Sequence, residues 1–230
     1  MRVSHVALDD FRSYRHAVVE FAPGTTVLLG SNGQGKTNLV EAVSYLSAFS
    51  SHRVSAEQAL VRLPLSPDEA QPGGAVVRVR LVTAGERETV IELEIVRGKA
   101  NRAKVNRTQV RPREVLGLLK SVVFSPEDLQ IVRGDPQVRR QFLDDLLIQQ
   151  HPLISQVKSD FDKVARQRAA LMKSAQSQLR RGFTPDFSTV EVWDDTFAQL
   201  SAQLSLARVG LVDELRGPAA HAYEEIGGSP

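Results

Sequence analysis

The stretch GSNGQGKTN, residues 30–38, fits the pattern G-x-x-x-x-G-K-[ST], with Gly30, Gly35, Lys36 and Thr37 at the fixed positions. These residue types suit the handling of a triphosphate. Glycines let the backbone wrap closely enough for its N–H groups to point inward, and a helix N-terminus behind them adds partial positive charge. Lys36 supplies a point charge for the outer phosphates, and the Thr37 hydroxyl is a ligand for Mg²⁺. The phosphate-binding set expected from the pattern is Gly30, Ser31, Asn32, Gly33, Gln34, Gly35, Lys36 and Thr37, with Thr37 also on the metal.

Such a loop needs a strand to deliver it and a helix to receive it. TTVLLG (25–30) lies between a Pro-Gly pair and the loop and predicts a short buried strand. Beyond the loop, Leu39, Val40, Val43, Leu46 and Phe49 recur at helical spacing. Upstream, residues 2–8 and 15–21 predict two strands joined by the polar turn DDFRSYR. SPDEAQPGG (66–74) reads as a loop. It leads into AVVRVRLV and TVIELEIV, which alternate apolar and charged residues around the turn AGERE. That alternation predicts a hairpin with one face in the core and one in water. SVVF (121–124) predicts one more β-segment.

From residue 125 the pattern turns helical. Ser125 is placed as an N-cap, Pro126 at the first helical position, and Glu127 and Asp128 in the first turn. Asp135-Pro136 opens a second helix to about Gln150. A third runs from about Ser155 to Arg181, with Gly182 as its stop, and a fourth covers about 190–216. The expectation is an α/β fold in two lobes. Residues 1–124 form a β-rich lobe with the phosphate loop, and residues 125–230 form a helical lobe.

The 230 residues carry 29 basic and 27 acidic side chains, a net charge of +2, which by itself gives no electrostatic footprint for nucleic acid. The footprint is local. RGKANRAKVNRTQVRPRE (97–114) has seven basic residues and one acid. Arg97, Lys99, Arg102, Lys104, Arg107, Arg111 and Arg113 are therefore candidates for contacts to DNA phosphates. No aromatic residue interleaves, so base stacking is not supported there. The other reading of the stretch is a solvated basic sheet edge. The absence of cysteine removes disulfides and thiolate metal sites. His5, His16, His52, His151 and His221 have no ligand spacing. No apolar run approaches the ~18 residues that would span a bilayer, and the N-terminus lacks a signal-peptide core. A cytoplasmic protein with no membrane partner is expected.

Two strands ahead of the loop set this chain apart from small nucleoside kinases, which place the loop after the first strand, and no N-K-x-D guanine motif of GTPases is present. FRSYRHAVVEFAPGTTVLLGSNGQGKTNLVEAVSYLS, SHRVSAEQALVR and above all PEDLQIVRGDPQVRRQFLD (126–144) resemble the RecF family of the SMC/Rad50-like ABC group. Pro126, Glu127, Gly134, Pro136, Arg139, Arg140, Phe142 and Asp144 stand where that signature has such residues. QRAALMK (167–173) resembles the next helix, with Ala169 in place of asparagine. The resemblance implies an ABC-type P-loop ATPase head with an antiparallel β-lobe and a helical lobe, using ATP and Mg²⁺. It implies binding of gapped, duplex and single-stranded DNA and help in loading RecA. RecR and RecO are the implied partners, with ATP-dependent pairing of two heads and a setting in DNA repair, replication and the SOS response. A small P-loop kinase acting on a non-nucleic-acid substrate is the alternative class.

From the residues themselves, Arg139 and Arg140 point about 100° apart on a helix, so that one can face a partner while the other pairs with Asp144 or Asp145. The family's signature loop and Walker B acids have no counterpart here. LDDLL (143–147) lies within a helix, and Asp213-Glu214 fall in the helical repeat of Leu200, Leu204, Ala207, Leu211 and Leu215. The head is therefore expected to be incomplete, its catalytic residues unassigned and hydrolysis impaired.

Overall fold

The computed structural model describes residues 1–228 apart from 52, 55, 84 and 185–187. His52 and the Ala84 position of the expected hairpin turn lie outside the described residues. The chain divides into two compact units, Met1–Leu129 and Gln130–Pro230.

In the first unit, β1 (Arg2–Phe11), β2 (Tyr14–Glu20), β3 (Gly74–Val82), β4 (Glu88–Val96), β5 (Arg102–Val105) and β6 (Thr108–Val110) make one sheet in the order β2-β1-β3-β4-β5-β6. Every pairing is antiparallel. The period-two pattern decides which face is buried. Val6 and Leu8 on β1, Val77, Val79 and Leu81 on β3, and Ile91, Leu93 and Ile95 on β4 point into one core. Helix α1 (Lys36–Ala48) adds Leu39, Ala42, Tyr45 and Leu46 to the same cluster. Burying each large apolar side chain contributes about 1.5–3 kcal/mol, so this cluster fixes the direction of the helix that begins at Lys36.

The opposite face carries a ladder of alternating charge. His16 meets Asp9 at 2.6 Å, Asp9 meets Arg78 at 2.7 Å, Arg78 meets Glu92 at 2.5 Å, and Glu92 meets Lys104 at 2.8 Å. Each pair is partly exposed and contributes little alone. Together they span five strands, and a one-residue slip in register would turn these charged side chains toward the core.

Two expected strands are absent. Residues 25–30 form no strand, with Val27 and Leu29 70% and 87% exposed. Residues 121–124 likewise have no ladder, and Val122 and Phe124 are 93% and 86% exposed. β-Branched and aromatic residues favour an extended backbone, but a strand also needs a neighbour for its N–H and C=O groups. Among the described residues neither segment has one.

Between the 3-10 turn Glu57–Leu60 and β3, the loop is pinned by the buried guanidinium of Arg62. Arg62 Nε donates to Asp10 Oδ1 at 2.8 Å and its Nη2 donates to Glu69 Oε1 at 2.6 Å, while the Leu65 N–H donates to Glu69 Oε2 at 2.9 Å. The Arg62 and Leu65 hydrogen bonds hold the Glu69 carboxyl down to about 2, against an ordinary 4.5. Because the folded value is depressed, this pinning contributes fully above pH 4.5 and is lost as pH falls toward 2. An NMR titration should give Glu69 a midpoint near 2 that returns toward 4.5 in Arg62→Ala. An ordinary midpoint in the native chain would show that the clamp does not form.

In the second unit, α2 (Gln130–Arg133), α3 (Pro136–Gln150), α4 (Ile154–Arg180) and α5 (Ser188–Gly227) follow in order. Helices α4 and α5 lie antiparallel: Phe161 stacks on Phe197 with centroids 5.4 Å apart, and Arg168 pairs with Asp194 at 2.5 Å. The α5 helix continues beyond the expected end near 216, through Pro218 to Gly227. Pro218 removes one N–H donor, yet this turn is exposed, so water can satisfy the carbonyl that is freed. The segment after Ser125 also differs from expectation. A single 3-10 turn, Pro126–Leu129, precedes α2, and the capping runs from the acid: the Ser125 N–H donates to Asp128 Oδ2 at 2.6 Å.

Candidate functional site

The glycine loop turns directly into α1, with Gly35 as the N-cap at φ 94°. A Cβ at Gly35 would stand 2.8 Å from Ser13 Oγ and 3.0 Å from the Tyr14 ring, so the β1–β2 turn leans on the loop and admits only glycine there. Lys36 Nζ donates to Gly30 O and to Ser31 O, both at 2.8 Å. Its ammonium has three donors, so two are engaged by the loop and the third is available to a ligand. Thr37 is exposed in the first turn of α1. Gly30, Ser31, Asn32, Gly33 and Gln34 are likewise exposed, which leaves the cradle open on one side. The structure thus brings all eight loop residues predicted from sequence into one feature. Among the described residues, no cluster of three or more acids and histidines is placed to hold a metal without help from a ligand.

Beside the loop lies a network that the sequence pattern did not mark. Glu41, on the first turns of α1, is 1% exposed and accepts Arg12 Nε at 2.9 Å and Arg12 Nη2 at 2.7 Å. It also accepts Ser51 Oγ at 2.5 Å and Arg53 Nη1 at 3.0 Å. Burial pushes the Glu41 carboxyl up, but the hydrogen bonds from Arg12 and Ser51 and the charges of Arg12 and Arg53 outweigh it, and the net shift is downward. Arg53 Nη1 reaches Asn38 Oδ1 at 2.8 Å, and Asn38 Nδ2 reaches Ser13 Oγ at 2.8 Å. One acid against two arginines leaves a net positive charge at the start of α1. The signal for this network was an acid on the buried face of α1, between Leu39 and Ala42.

Deeper along α1, Tyr45 is buried and donates to Glu57, which also accepts Asn101 Nδ2 at 2.9 Å. Burial first, and then the hydrogen bond to Glu57, push the Tyr45 phenol up.

The seven basic candidates separate. Lys104 pairs with Glu92 at 2.8 Å and Arg102 with Glu94 at 3.6 Å, both on the face of the sheet. Arg97 is half-buried, and with the Gln71 amide turned to face it, the Gln71 oxygen accepts from both Arg97 Nη atoms at 2.9 Å. Lys99, Arg107, Arg111 and Arg113 are exposed at the turns and ends of β5 and β6. No ion pair among the described residues engages Lys99, Arg107 or Arg111.

In the helical unit, Arg139 and Arg140 do not pair with Asp144 or Asp145. Arg139 Nη1 donates to Ile131 O at 3.3 Å and Gly134 O at 3.0 Å, closing the end of α2. Asp144 is taken by Arg208 instead, whose Nε and Nη2 approach its two oxygens at 2.8 and 2.9 Å. Arg140 is exposed on α3. Asp213 and Glu214 are exposed on α5, and Asp213 pairs with Arg216 at 3.0 Å.

The family model described as RecF/RecN/SMC N terminal domain matches residues 2–210. The chain belongs to this family. Within it, the chain is 47% identical to the DNA replication and repair protein RecF of Frankia alni over 100% of its length, and 50% identical to that of Beutenbergia cavernae over 98%. It spans 59% and 56% of the lengths of those two relatives. Among solved structures, the recombination mediator protein RecF-ATP in the RecFOR pathway superposes with a TM-score of 0.82 at 27% identity, covering 97% of this chain and 57% of that one. RecF-ATPrS in the same pathway gives 0.84 at 26%, covering 98% and 58%. An SMC ATPase structure at 22% identity gives 0.51 over 63% of this chain and 98% of that one, a likeness of fold alone. The α/β ABC-head architecture expected from the sequence is therefore the one observed, limited to the amino-terminal part of the RecF length. No described helix is long and apolar enough to cross a membrane.

Proposed function

We propose that this chain binds ATP at the loop of residues 30–37 and serves a RecF-like role in recombinational DNA repair and replication. The observation that carries the reading is the converged loop: Lys36 held by two loop carbonyls, Gly35 capping α1, and the net positive charge of the Arg12–Glu41–Arg53 network alongside. Loop amides and Lys36 would hold the phosphates, and Thr37 would ligate Mg²⁺, which would shield phosphate charge there. DNA would lie along the β5–β6 edge, with Lys99, Arg107, Arg111 and Arg113 as phosphate contacts. Arg102 and Lys104 would contribute less, because an acid already answers each of them. Single-stranded, gapped and duplex DNA share the phosphate chemistry these side chains read.

RecR and RecO would be partners in assisting RecA loading, two copies would associate with ATP between them, and the setting would be the cytoplasm and the SOS response. The unpaired segments 25–30 and 121–124 would find their strand partners in the part of the RecF length that this chain does not span. Hydrolysis would depend on acids contributed from that same part. The compact-kinase alternative has no observation of its own in its favour.

Fluorescence anisotropy on duplex DNA, with and without Mg·ATP, tests the reading. Wild type should bind more tightly with ATP, and Lys36→Ala should lose that stimulation. Replacing Lys99, Arg107 and Arg111 with alanine should reduce the slope of log affinity against log salt by about 2–3, near 0.9 per lost phosphate contact. An unchanged slope would remove the β5–β6 edge from the interface. ATP binding without any DNA binding would return the kinase class to consideration.

A further inference from the structure

Gln34 occupies a variable position of the loop pattern, yet its side chain reaches back across the loop. Its Oε1 accepts the Ser31 N–H at 3.0 Å. The same oxygen lies 2.2 Å from where a Cβ on Gly30 would stand, so the first glycine of the pattern makes room for this amide. The bond lands on one particular peptide. The Ser31 N–H and the Gly30 carbonyl belong to the same planar unit and point in opposite directions. The Gly30 carbonyl is one of the two oxygens that hold Lys36 Nζ, at 2.8 Å. Gln34 therefore grips one side of the peptide while Lys36 grips the other.

We propose that Gln34 is a positioning residue for triphosphate binding, a brace across the loop that fixes the Gly30–Ser31 peptide and through it aims the ammonium of Lys36. The inference rests on the reading of this loop as a phosphate site. Without the brace, the Gly30–Ser31 peptide is free to rotate, and Lys36 loses one of its two anchors. The ammonium then spends part of its time away from the outer phosphates, and ordering it on binding reduces the affinity gained. Because the Ser31 N–H is taken up by Gln34, the effect reaches the ligand chiefly through Lys36, and this separates it from a direct contact or a general loosening of the fold.

ATP affinity is measured for wild type, Gln34→Met, Lys36→Met and the double variant. Methionine keeps the length of the side chain and removes the acceptor. Losing one such hydrogen bond corresponds to about a fivefold weakening. Gln34→Met should therefore bind ATP about fivefold more weakly than wild type, but the same change in the Lys36→Met background should cost less than about twofold, because the two positions act as a unit. Gln34→Glu retains an acceptor and serves as the second variant. Hydrogen exchange at the Ser31 amide should stay slow in Gln34→Glu and speed up in Gln34→Met, with the thermal midpoint unchanged in both. Equal penalties for Gln34→Met in the two backgrounds, or a Ser31 amide that does not respond, would overturn the inference and leave the loop reading standing. Equal ATP affinity in wild type and Lys36→Met would bring down both.

Discussion

Replacing Glu41 with alanine is expected to destabilise the amino-terminal unit by about 3 kcal/mol. The side chain of Glu41 is 1% exposed, and it answers Arg12 and Arg53, which are 16% and 34% exposed. Removing the acid leaves two guanidiniums facing each other beside the start of α1 with no counter-charge. Truncating one member of a buried ion pair costs about 3–5 kcal/mol, and the lower end applies because Arg53 can turn partly into water. Arg12 also donates to Ala59 O at 3.0 Å, so its displacement would loosen the bridge between β1 and the turn at Glu57–Leu60. The lone tryptophan, Trp193, belongs to α5 of the other unit. Hydrogen exchange at the amides of β1, β3 and β4 is the readout. The Glu41 carboxyl titrates below its ordinary 4.5, so its contribution is complete above that pH and fades as pH falls through the depressed value. The gap between Glu41→Ala and wild type should narrow in acid. A difference under about 0.5 kcal/mol at pH 7 would mean that the two arginines do not depend on Glu41.

What the sequence made legible was whatever depends on local pattern. The period-two alternation in β3 and β4 identified the buried face correctly, because Val77, Val79, Leu81, Ile91, Leu93 and Ile95 need only one sheet and one core to be satisfied. The loop was legible for a similar reason: glycine, lysine and threonine at fixed spacing act on their own backbone. The failures share a cause as well. TTVLLG and SVVF have the composition of strands, but a strand is a property of two segments, and composition says nothing about the second. The charge run at 97–114 was legible only in part for the same reason. Seven basic residues are visible in a line of letters, whereas the acids of β4 that neutralise Arg102 and Lys104 lie elsewhere in the chain and are brought alongside by the sheet. The Arg12–Glu41–Arg53 network joins three parts of the chain and was illegible except as one acid out of place on an apolar helix face.

Asp144 illustrates the same point in the helical unit and supplies the second large expected effect. Periodicity put it near Arg139 and Arg140, its neighbours on α3, but the fold gives it to Arg208 of α5 in a two-bond fork, with Lys158 of α4 at 3.9 Å. With its side chain 2% exposed, Asp144 ties three helices at one point. Asp144→Ala should cost this unit about 3–5 kcal/mol, because Arg208, only 18% exposed, is left without its acid. Trp193 fluorescence in a urea titration reports on the unit directly, and a lower midpoint at unchanged slope is the expected form. The pair is costly to break and not necessarily costly to replace. Asp144→Leu combined with Arg208→Met removes both charges together and substitutes apolar contact, and it should recover most of the loss. Recovery would mean that the fork chiefly answers a buried charge. A double variant as unstable as Asp144→Ala would mean instead that Asp144 and Arg208 are needed for the geometry they impose on α3, α4 and α5, and that the signature around 126–144 is maintained by packing in the helical unit as much as by any partner.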